Sequence, residues 1–241
     1  MHGMGSDEAR AGPPASDAAR PAPLTDEKTG LRRLLLEARA GLTPQRREAA
    51  GRQIRDAVLS LPESQMAGSV AAYFSVGAEP DSRGLVYALW KRGAYVLLPL
   101  LLPDGDLDWA SYEGPDSLTA GRRGLLEPSA AARGPDAVAR ADLVIVPALA
   151  VDSRGYRLGR GRGCYDRALA RVGPQVLAVA LLYDGELLPR VPAENHDQRV
   201  RAVAQPSAGI TRLRLALPCG TIWQSGWQSA NARARASPEP C

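Results

Sequence analysis

The sequence predicts an α/β fold, with a mostly parallel sheet flanked by helices on both faces in a three-layer, Rossmann-like single domain. Strand-like and helix-like patterns alternate along the chain, which is the order that a parallel sheet with crossover helices requires. The strand-like runs are apolar along their whole length, as expected for strands buried on both faces. Of the 241 residues, 45% are hydrophobic, which is enough for a packed core.

Hydrophobic spacing and capping residues predict the first four elements. The apolar face of the first helix comprises Leu31, Leu34, Leu35 and Ala38. Thr43 followed by Pro44 is typical of an N-cap with proline in the first turn, so a second helix begins there. The apolar face of that helix comprises Ile54, Ala57, Val58 and Leu61. The run 69–75 predicts a strand, and the run 84–92 predicts a short helix.

Apolar runs predict four further strands. The first is the run 94–100, and the Asp104–Gly105 pair after it is typical of a hairpin turn into a strand at 107–112. The runs 142–147 and 176–182 are the other two predicted strands. They flank a glycine-rich loop and the helical pattern that follows this loop.

The two ends of the chain differ in composition from the middle. Residues 1–24 are rich in Gly, Pro, Ala, Ser, Asp and Arg and have few large apolar residues, which predicts a disordered tail. Residues 218–241 are largely polar and rich in Arg and Ala, which predicts a poorly ordered tail. The predicted domain therefore spans residues 25–217.

Charge and cysteine content narrow the class of protein only partly. A net charge of +4 suits an anionic substrate, a nucleotide or a nucleic acid equally well. The three cysteines (Cys164, Cys219 and Cys241) have neither a disulfide framework nor metal-ligand spacing. No apolar run approaches the roughly 18 residues of a membrane span, and the N-terminus lacks an apolar signal core. A cytoplasmic protein without membrane contact is therefore expected.

The segment 152–169 carries the strongest functional signal. Glycine and arginine alternate in it, as Gly159, Arg160, Gly161, Arg162 and Gly163. Glycines let backbone N–H groups approach a ligand without a Cβ in the way. A helix beginning just after such a loop adds the positive end of its dipole. Together with Arg157, the segment predicts an anion site that suits the phosphates of a nucleotide.

Other interpretations of this loop remain open from the residues alone. It is neither a Walker loop nor a dinucleotide fingerprint, because the required residues and spacing are missing. A glycine–arginine run is also typical of disordered or RNA-binding basic segments. A strand-like run precedes the loop and a helical pattern follows it, which favours a ligand site at the carboxyl end of a strand.

The same segment resembles the signature of the 5-formyltetrahydrofolate cyclo-ligase (methenyltetrahydrofolate synthetase) family. The matching residues are Pro147, Asp152, Gly155, Arg157-Leu-Gly-Arg-Gly-Arg-Gly163 and Tyr165-Asp-Arg167. The chain departs from the pattern at Ala148, Val151 and Cys164, and the family usually has a tyrosine at the last of these. The resemblance extends over roughly residues 28–210.

The resemblance implies an enzyme that uses ATP and Mg²⁺ to convert 5-formyltetrahydrofolate to 5,10-methenyltetrahydrofolate, with release of ADP and phosphate. ATP and a reduced folate are then the expected partners of a monomer that binds no nucleic acid. Two alternatives stay open: a catalytically altered relative that binds a phosphorylated, thiamine-related ligand, and a basic nucleic-acid-binding protein.

The resemblance also implies residue roles. The ATP-binding residues are Lys28, Arg32, Arg157, Leu158, Gly159, Arg160, Gly161, Arg162, Gly163, Cys164 and Tyr165. Arg160 and Tyr165 are the catalytic pair. Phe74, Glu79 and Tyr165 bind the folate, and Asp166 and Asp197 hold the metal.

Residue chemistry supports some of these roles independently. Lys28 and Arg32 are four positions apart and so project from one face of the first helix. A carboxylate such as Glu79 can accept two hydrogen bonds from a side-by-side N–H pair. A lone histidine is usually a surface residue, which is the expectation for His196. The family's second aspartate after Asp197 is replaced by Arg201 in this chain.

Overall fold

The computed structural model describes residues 24–121 and 124–213, so both predicted tails lie almost wholly outside the described residues. The helices are α1 (Leu24–Ala40), α2 (Pro44–Leu59), α3 (Pro62–Met66), α4 (Arg83–Lys91) and α5 (Cys164–Ala170). The first six strands are β1 (Ser69–Ala71), β2 (Tyr95–Leu101), β3 (Leu107–Ser111), β4 (Leu118–Ala120), β5 (Leu126–Pro128) and β6 (Leu143–Pro147). The remaining six are β7 (Ala150–Asp152), β8 (Arg157–Leu158), β9 (Leu177–Leu181), β10 (Leu187–Leu188), β11 (Ala202–Gln205) and β12 (Gly209–Arg212).

A seven-stranded sheet lies at the centre of the described chain. Its strand order is β12-β11-β9-β6-β1-β2-β3. The five inner strands run parallel, and each edge strand is antiparallel to its neighbour. The predicted α/β fold with a mostly parallel sheet is confirmed. The antiparallel edge formed by β11 and β12 was not predicted.

Alternate side chains of the strands build a separate core on each face of this sheet, as the two-residue period of a strand requires. Helices α2 and α4 cover one face, with Ile54 and Leu85 packed against Val70 and Ile145. Helix α5 and the 3₁₀ helix Pro135–Arg140 cover the other face. This confirms the prediction of helices on both faces.

Capping and turn residues predicted the ends of several elements to within one or two residues. Thr43 is the N-cap of α2, and its side chain accepts a hydrogen bond from the Arg46 N–H at 3.3 Å. Strands β2 and β3 form the predicted antiparallel hairpin, and Gly105 supplies a positive φ of 84° in its turn. Strand β1 is shorter than predicted because the chain after Ala71 leaves the sheet for the segment 72–81.

The apolar face predicted for α1 was wrong in part: Leu31 and Leu35 pack against a small apolar cluster, but the other two residues do not. Leu34 is 58% exposed, and Ala38 is also exposed. The buried residues of this helix are Lys28 and Arg39. Helix α1 covers a cavity instead of the central sheet, and its inward face carries cations. Its leucines make a short apolar contact with the rest of the domain.

A three-stranded sheet of β10, β7 and β8 positions the glycine loop and was not predicted. The loop follows β8 of this small sheet instead of following β6 directly. The fully buried carboxylate of Asp152 holds the turn before β8, because it accepts hydrogen bonds from the N–H groups of Arg154, Tyr156 and Val191 at 2.9–3.1 Å.

None of the helices in the described residues combines the length and the apolar character needed to cross a membrane.

Candidate active site

A cavity of about 610 Å³ lies at the carboxyl ends of β1, β2 and β6, where parallel sheets bind ligands. Its walls are the inner side of α1, the segment after β1, the glycine loop and the segment 194–197. Every residue predicted for the site lines this cavity, so residues separated by more than 160 positions in sequence meet in one place. The cavity is therefore the candidate active site.

The glycine loop packs against α1. The guanidinium of Arg32 donates from Nε to the Gly159 carbonyl at 2.9 Å. A Cβ at Gly161 would lie 3.3 Å from the Arg32 Cζ, and the φ of Gly161 is 97°. Gly163, with a φ of 65°, turns the chain into α5, whose first residue is Cys164. The positive φ therefore favours glycine at Gly161, and a Cβ there would also crowd the Arg32 guanidinium.

Lys28 is a buried cation that two carboxylates share. Its Nζ lies 2.8 Å from Glu194 and 2.7 Å from Asp197. Burial alone would lower the pKa of Lys28, but hydrogen bonds to Asp197 and Glu194 outweigh burial and raise it. The pKa of Asp197 is lowered, because the hydrogen bonds from Lys28 and from the Glu194 N–H outweigh the effect of burial. This wall of the cavity therefore carries one positive and two negative charges in fixed positions.

Arg157 supports two predicted site residues from beneath the cavity. Its side chain is 3% exposed and its Nη2 lies 3.0 Å from the Asp166 carboxylate. The guanidinium carbon also lies 5.7 Å from the ring centre of Tyr165. The Gln198 N–H donates to the same Asp166 oxygen at 3.1 Å. Direct phosphate binding by Arg157 stays a prediction.

Glu79 and Arg160 form an ion pair across the cavity. The Arg160 Nε lies 3.2 Å from the Glu79 Oε1, and the Glu79 Oε2 accepts the Val76 N–H at 3.0 Å. The Glu79 side chain is 9% exposed, whereas that of Arg160 is 49% exposed. Both oxygens of the carboxylate are therefore engaged in this structure.

Two tyrosine hydroxyls hold the turn that carries Glu79. The Tyr183 hydroxyl donates to the Glu79 carbonyl at 3.2 Å, and the Tyr73 hydroxyl donates to the Pro80 carbonyl at 3.2 Å. Burial raises the pKa of both phenols, so both remain donors. Neither tyrosine was predicted as a site residue, because a tyrosine at the end of an apolar strand has the pattern of a core residue.

Tyr165 and Phe74 form the aromatic part of the cavity. Tyr165 packs against both cores of the sheet, and burial raises its pKa well above the usual range of a phenol. Its hydroxyl therefore keeps its proton at neutral pH. Phe74 packs 6.5 Å from the Tyr112 ring, with the Arg83 guanidinium 5.4 Å above its face.

The carboxylates predicted to hold a metal line the same cavity but have different neighbours. Asp197 lies with Glu194 and His196, and the ligand atoms of these three are within 4.8 Å of one another. Asp166 lies instead with Arg157. His196 has a side chain that is 69% exposed, in agreement with its predicted surface position.

A buried ion pair behind the cavity was also missed. The Arg39 guanidinium donates to both Glu186 oxygens at 2.7 Å and to the Ala148 carbonyl at 2.6 Å. Glu186 also accepts the Tyr183 N–H at 2.8 Å. In the sequence, Arg39 has only the pattern of a basic residue in the last turn of a helix, which is common and uninformative.

The model of the 5-formyltetrahydrofolate cyclo-ligase family matches residues 24–206, which include the whole cavity. The chain belongs to the 5-formyltetrahydrofolate cyclo-ligase family. A cyclo-ligase of this name from Mycolicibacterium smegmatis is 38% identical over 192 residues, which cover 78% of this chain and 97% of the relative. One from Escherichia coli is 32% identical over 177 residues, which cover 72% of this chain and 97% of the relative.

A solved structure supports membership of the cyclo-ligase family at the level of the fold. The NMR structure of Aquifex aeolicus 5,10-methenyltetrahydrofolate synthetase matches with a TM-score of 0.68 and 28% identity. The match covers 83% of this chain and 99% of that chain. The architecture that places the glycine loop beside α1 is thus shared across the length of this cyclo-ligase relative.

Proposed function

We propose that this cyclo-ligase converts 5-formyltetrahydrofolate to 5,10-methenyltetrahydrofolate and couples the ring closure to conversion of ATP to ADP and phosphate. The observation that carries the proposal is that one cavity contains both the glycine loop and the anchored carboxylate of Glu79. The loop suits phosphates, and the carboxylate suits the paired N–H donors of a pterin. The Glu79–Arg160 ion pair joins the loop to the carboxylate, so a nucleotide and a folate bound there would lie close to each other.

The nucleotide side of the cavity comprises Lys28, Arg32, Arg160 and the glycine loop 159–163. Backbone N–H groups of the loop and the cations around it would neutralise the phosphate oxygens. The folate side comprises Glu79, Phe74 and Tyr165. Phe74 offers a ring face to a flat ligand, and Tyr165 offers a protonated hydroxyl to the formyl group.

The chemistry needs positioning and charge neutralisation instead of a protein nucleophile. The formyl oxygen is a poor leaving group, so it first attacks the γ-phosphorus of ATP, and the bond to the ADP oxygen breaks. The N10 lone pair then forms a bond to the formyl carbon. The former formyl oxygen leaves with phosphate, and N10 loses its proton. Arg160 would stabilise the charge on the transferred group, and Tyr165 would orient the formyl group.

The carboxylates of Asp166 and Asp197 fit a Mg²⁺ ion by their chemistry, because Mg²⁺ prefers a few carboxylate oxygens together with phosphates. Among the described residues, the hydrogen bonds to Asp166 reach only its Oδ1, and those to Asp197 reach only its Oδ2. One oxygen of each carboxylate is thus left for a metal. When bound, the ion would neutralise phosphate charge beside the glycine loop.

Three further expectations for this enzyme remain predictions from the sequence. They are a cytoplasmic location, a monomeric state and the lack of a nucleic-acid partner.

The proposed reaction is tested by absorbance of the methenyl product during incubation with 5-formyltetrahydrofolate. Product is expected only when ATP and Mg²⁺ are both present, with one ADP formed for each methenyl group. ATP hydrolysis without methenyl product, or product without ATP, would contradict the proposal.

Arg160→Ala is expected to weaken ATP binding by about 1.5–3 kcal/mol, the range for a hydrogen bond to a charged group. Arg160 is half exposed and lies on the glycine loop, so its loss removes a phosphate contact without opening the core. Calorimetric titration with a non-hydrolysable ATP analogue measures the effect. Arg52→Ala, in an exposed pair on α2, is the matched control and should leave the affinity unchanged. Equal affinities of the Arg160 variant and the parent would remove Arg160 from the phosphate site.

A further inference from the structure

We propose that the Glu79–Arg160 ion pair couples the two substrate sites, so that a bound folate releases Arg160 to the phosphates of ATP. The inference rests on the proposed function and adds a dependence between its two ligands. It starts from the ion pair of 3.2 Å between a residue of the glycine loop and a residue of the folate side.

The carboxylate of Glu79 cannot hold the folate and Arg160 in the same way at once. Its Oε1 pairs with Arg160, and its Oε2 accepts the Val76 N–H. A pterin presents two N–H donors side by side and needs both oxygens along one edge of the carboxylate. The Arg160 Nε lies 3.2 Å from Oε1, within the space that the pterin donors would need, so on this proposal the folate displaces Arg160.

Arg160 is the partner that moves. Glu79 is held through its own N–H, which donates to the Val76 carbonyl at 3.2 Å, and through its carbonyl, which accepts the Tyr183 hydroxyl. Its side chain is nearly buried. Arg160 is half exposed, so its long side chain can reorient into solvent while the loop backbone stays in place.

A displaced Arg160 has few carboxylates left to pair with inside the cavity. Lys28 already engages Glu194 and Asp197, and Arg157 engages Asp166. The phosphates of ATP are then the anions within reach of the glycine loop. Because coupling between two ligands is reciprocal, ATP must also favour folate binding by taking Arg160 away from Glu79.

The size of the coupling follows from the exposure of the pair. Glu79 is nearly buried, but the Arg160 side chain is half exposed, so the pair corresponds to a factor of about two to five in an equilibrium constant, the range for ion pairs that water can reach. Calorimetric titrations of the whole protein with 5-formyltetrahydrofolate and with a non-hydrolysable ATP analogue plus Mg²⁺ should therefore show about two- to fivefold tighter binding of each ligand when the other is present.

The decisive variant is Arg160→Ala, for which we expect folate to bind about two- to fivefold tighter without nucleotide, because Glu79 is no longer occupied. The coupling should disappear in this variant. Arg160→Gln should give the same result as Arg160→Ala. It serves as a second variant in case the alanine variant has a folding defect. The exposed Arg52–Glu48 pair on α2 supplies matched controls, Arg52→Ala and Glu48→Gln, which should leave the coupling intact.

Each alternative outcome has a distinct meaning. If both ligands bind the parent protein but independently, and folate affinity is unchanged or weaker in the Arg160 variants, the coupling is overturned while the proposed function stands. If the parent protein binds no 5-formyltetrahydrofolate, the proposed function is overturned and the coupling falls with it.

Discussion

Glu186→Ala is expected to lower the free energy of unfolding by about 3–5 kcal/mol, the cost of leaving one partner of a buried ion pair uncompensated. The side chains of Arg39 and Glu186 are 2% and 8% exposed, so water cannot replace the lost carboxylate. The Tyr183 N–H would lose its acceptor as well. Urea unfolding followed by circular dichroism measures the loss.

Two further variants show whether the loss comes from an unpaired buried charge. The double variant Arg39→Met with Glu186→Leu removes both charges and should recover most of the stability. Glu63→Ala breaks a pair with Arg212 that is about half exposed on the arginine side, and it should cost about 1 kcal/mol or less. A Glu186→Ala loss as small as that of Glu63→Ala would contradict the buried pair.

Glu79→Gln is expected to raise the folate Michaelis constant by about 10- to 100-fold, because one charge-assisted interaction with the pterin is replaced by a neutral one. The affinity for ATP should not fall, since Arg160 is released from its partner by the same change. Initial rates of methenyl formation, measured while each substrate is varied in turn, separate the two effects.

The control for this variant is Glu48→Gln, which removes an equivalent charge from the exposed surface of α2. It should leave both Michaelis constants unchanged. A Glu79→Gln enzyme whose ATP affinity drops more than its folate affinity would mean that the two ligands occupy the opposite ends of the cavity.

The central sheet and the glycine loop could be predicted because their signals are local. Apolar runs mark strands that are buried on both faces, and alternating glycines mark a loop whose backbone can pass close to other groups. The residues that the family resemblance assigned to the site, from Lys28 to Asp197, all line one cavity. Their individual roles remain predictions.

The inward face of α1 could not be predicted from the sequence, because it depends on pairing between distant residues. The short strands β8 and β10 could not be predicted either. The inward face of α1 carries Lys28 and Arg39, whose partners lie 147–169 positions away in the sequence. Hydrophobic periodicity measures apolar content alone, so it placed Leu34 on the apolar face of α1. The two-residue strands β8 and β10 are too short to have a periodic pattern.

Helix α1 is the first described element to leave the ribosome, yet its contacts are completed among the last. Arg32 can pair only after Gly159 has been synthesised, Arg39 only after Glu186, and Lys28 only after Asp197. The sequence separations of these pairs are 127, 147 and 169 positions. Closing such long loops is entropically costly and slows folding. The parallel sheet can therefore form while the cavity still lacks a wall. A chain interrupted before Glu186 would leave Lys28 and Arg39 of α1 without their carboxylate partners, so substrate binding would require synthesis of the whole domain.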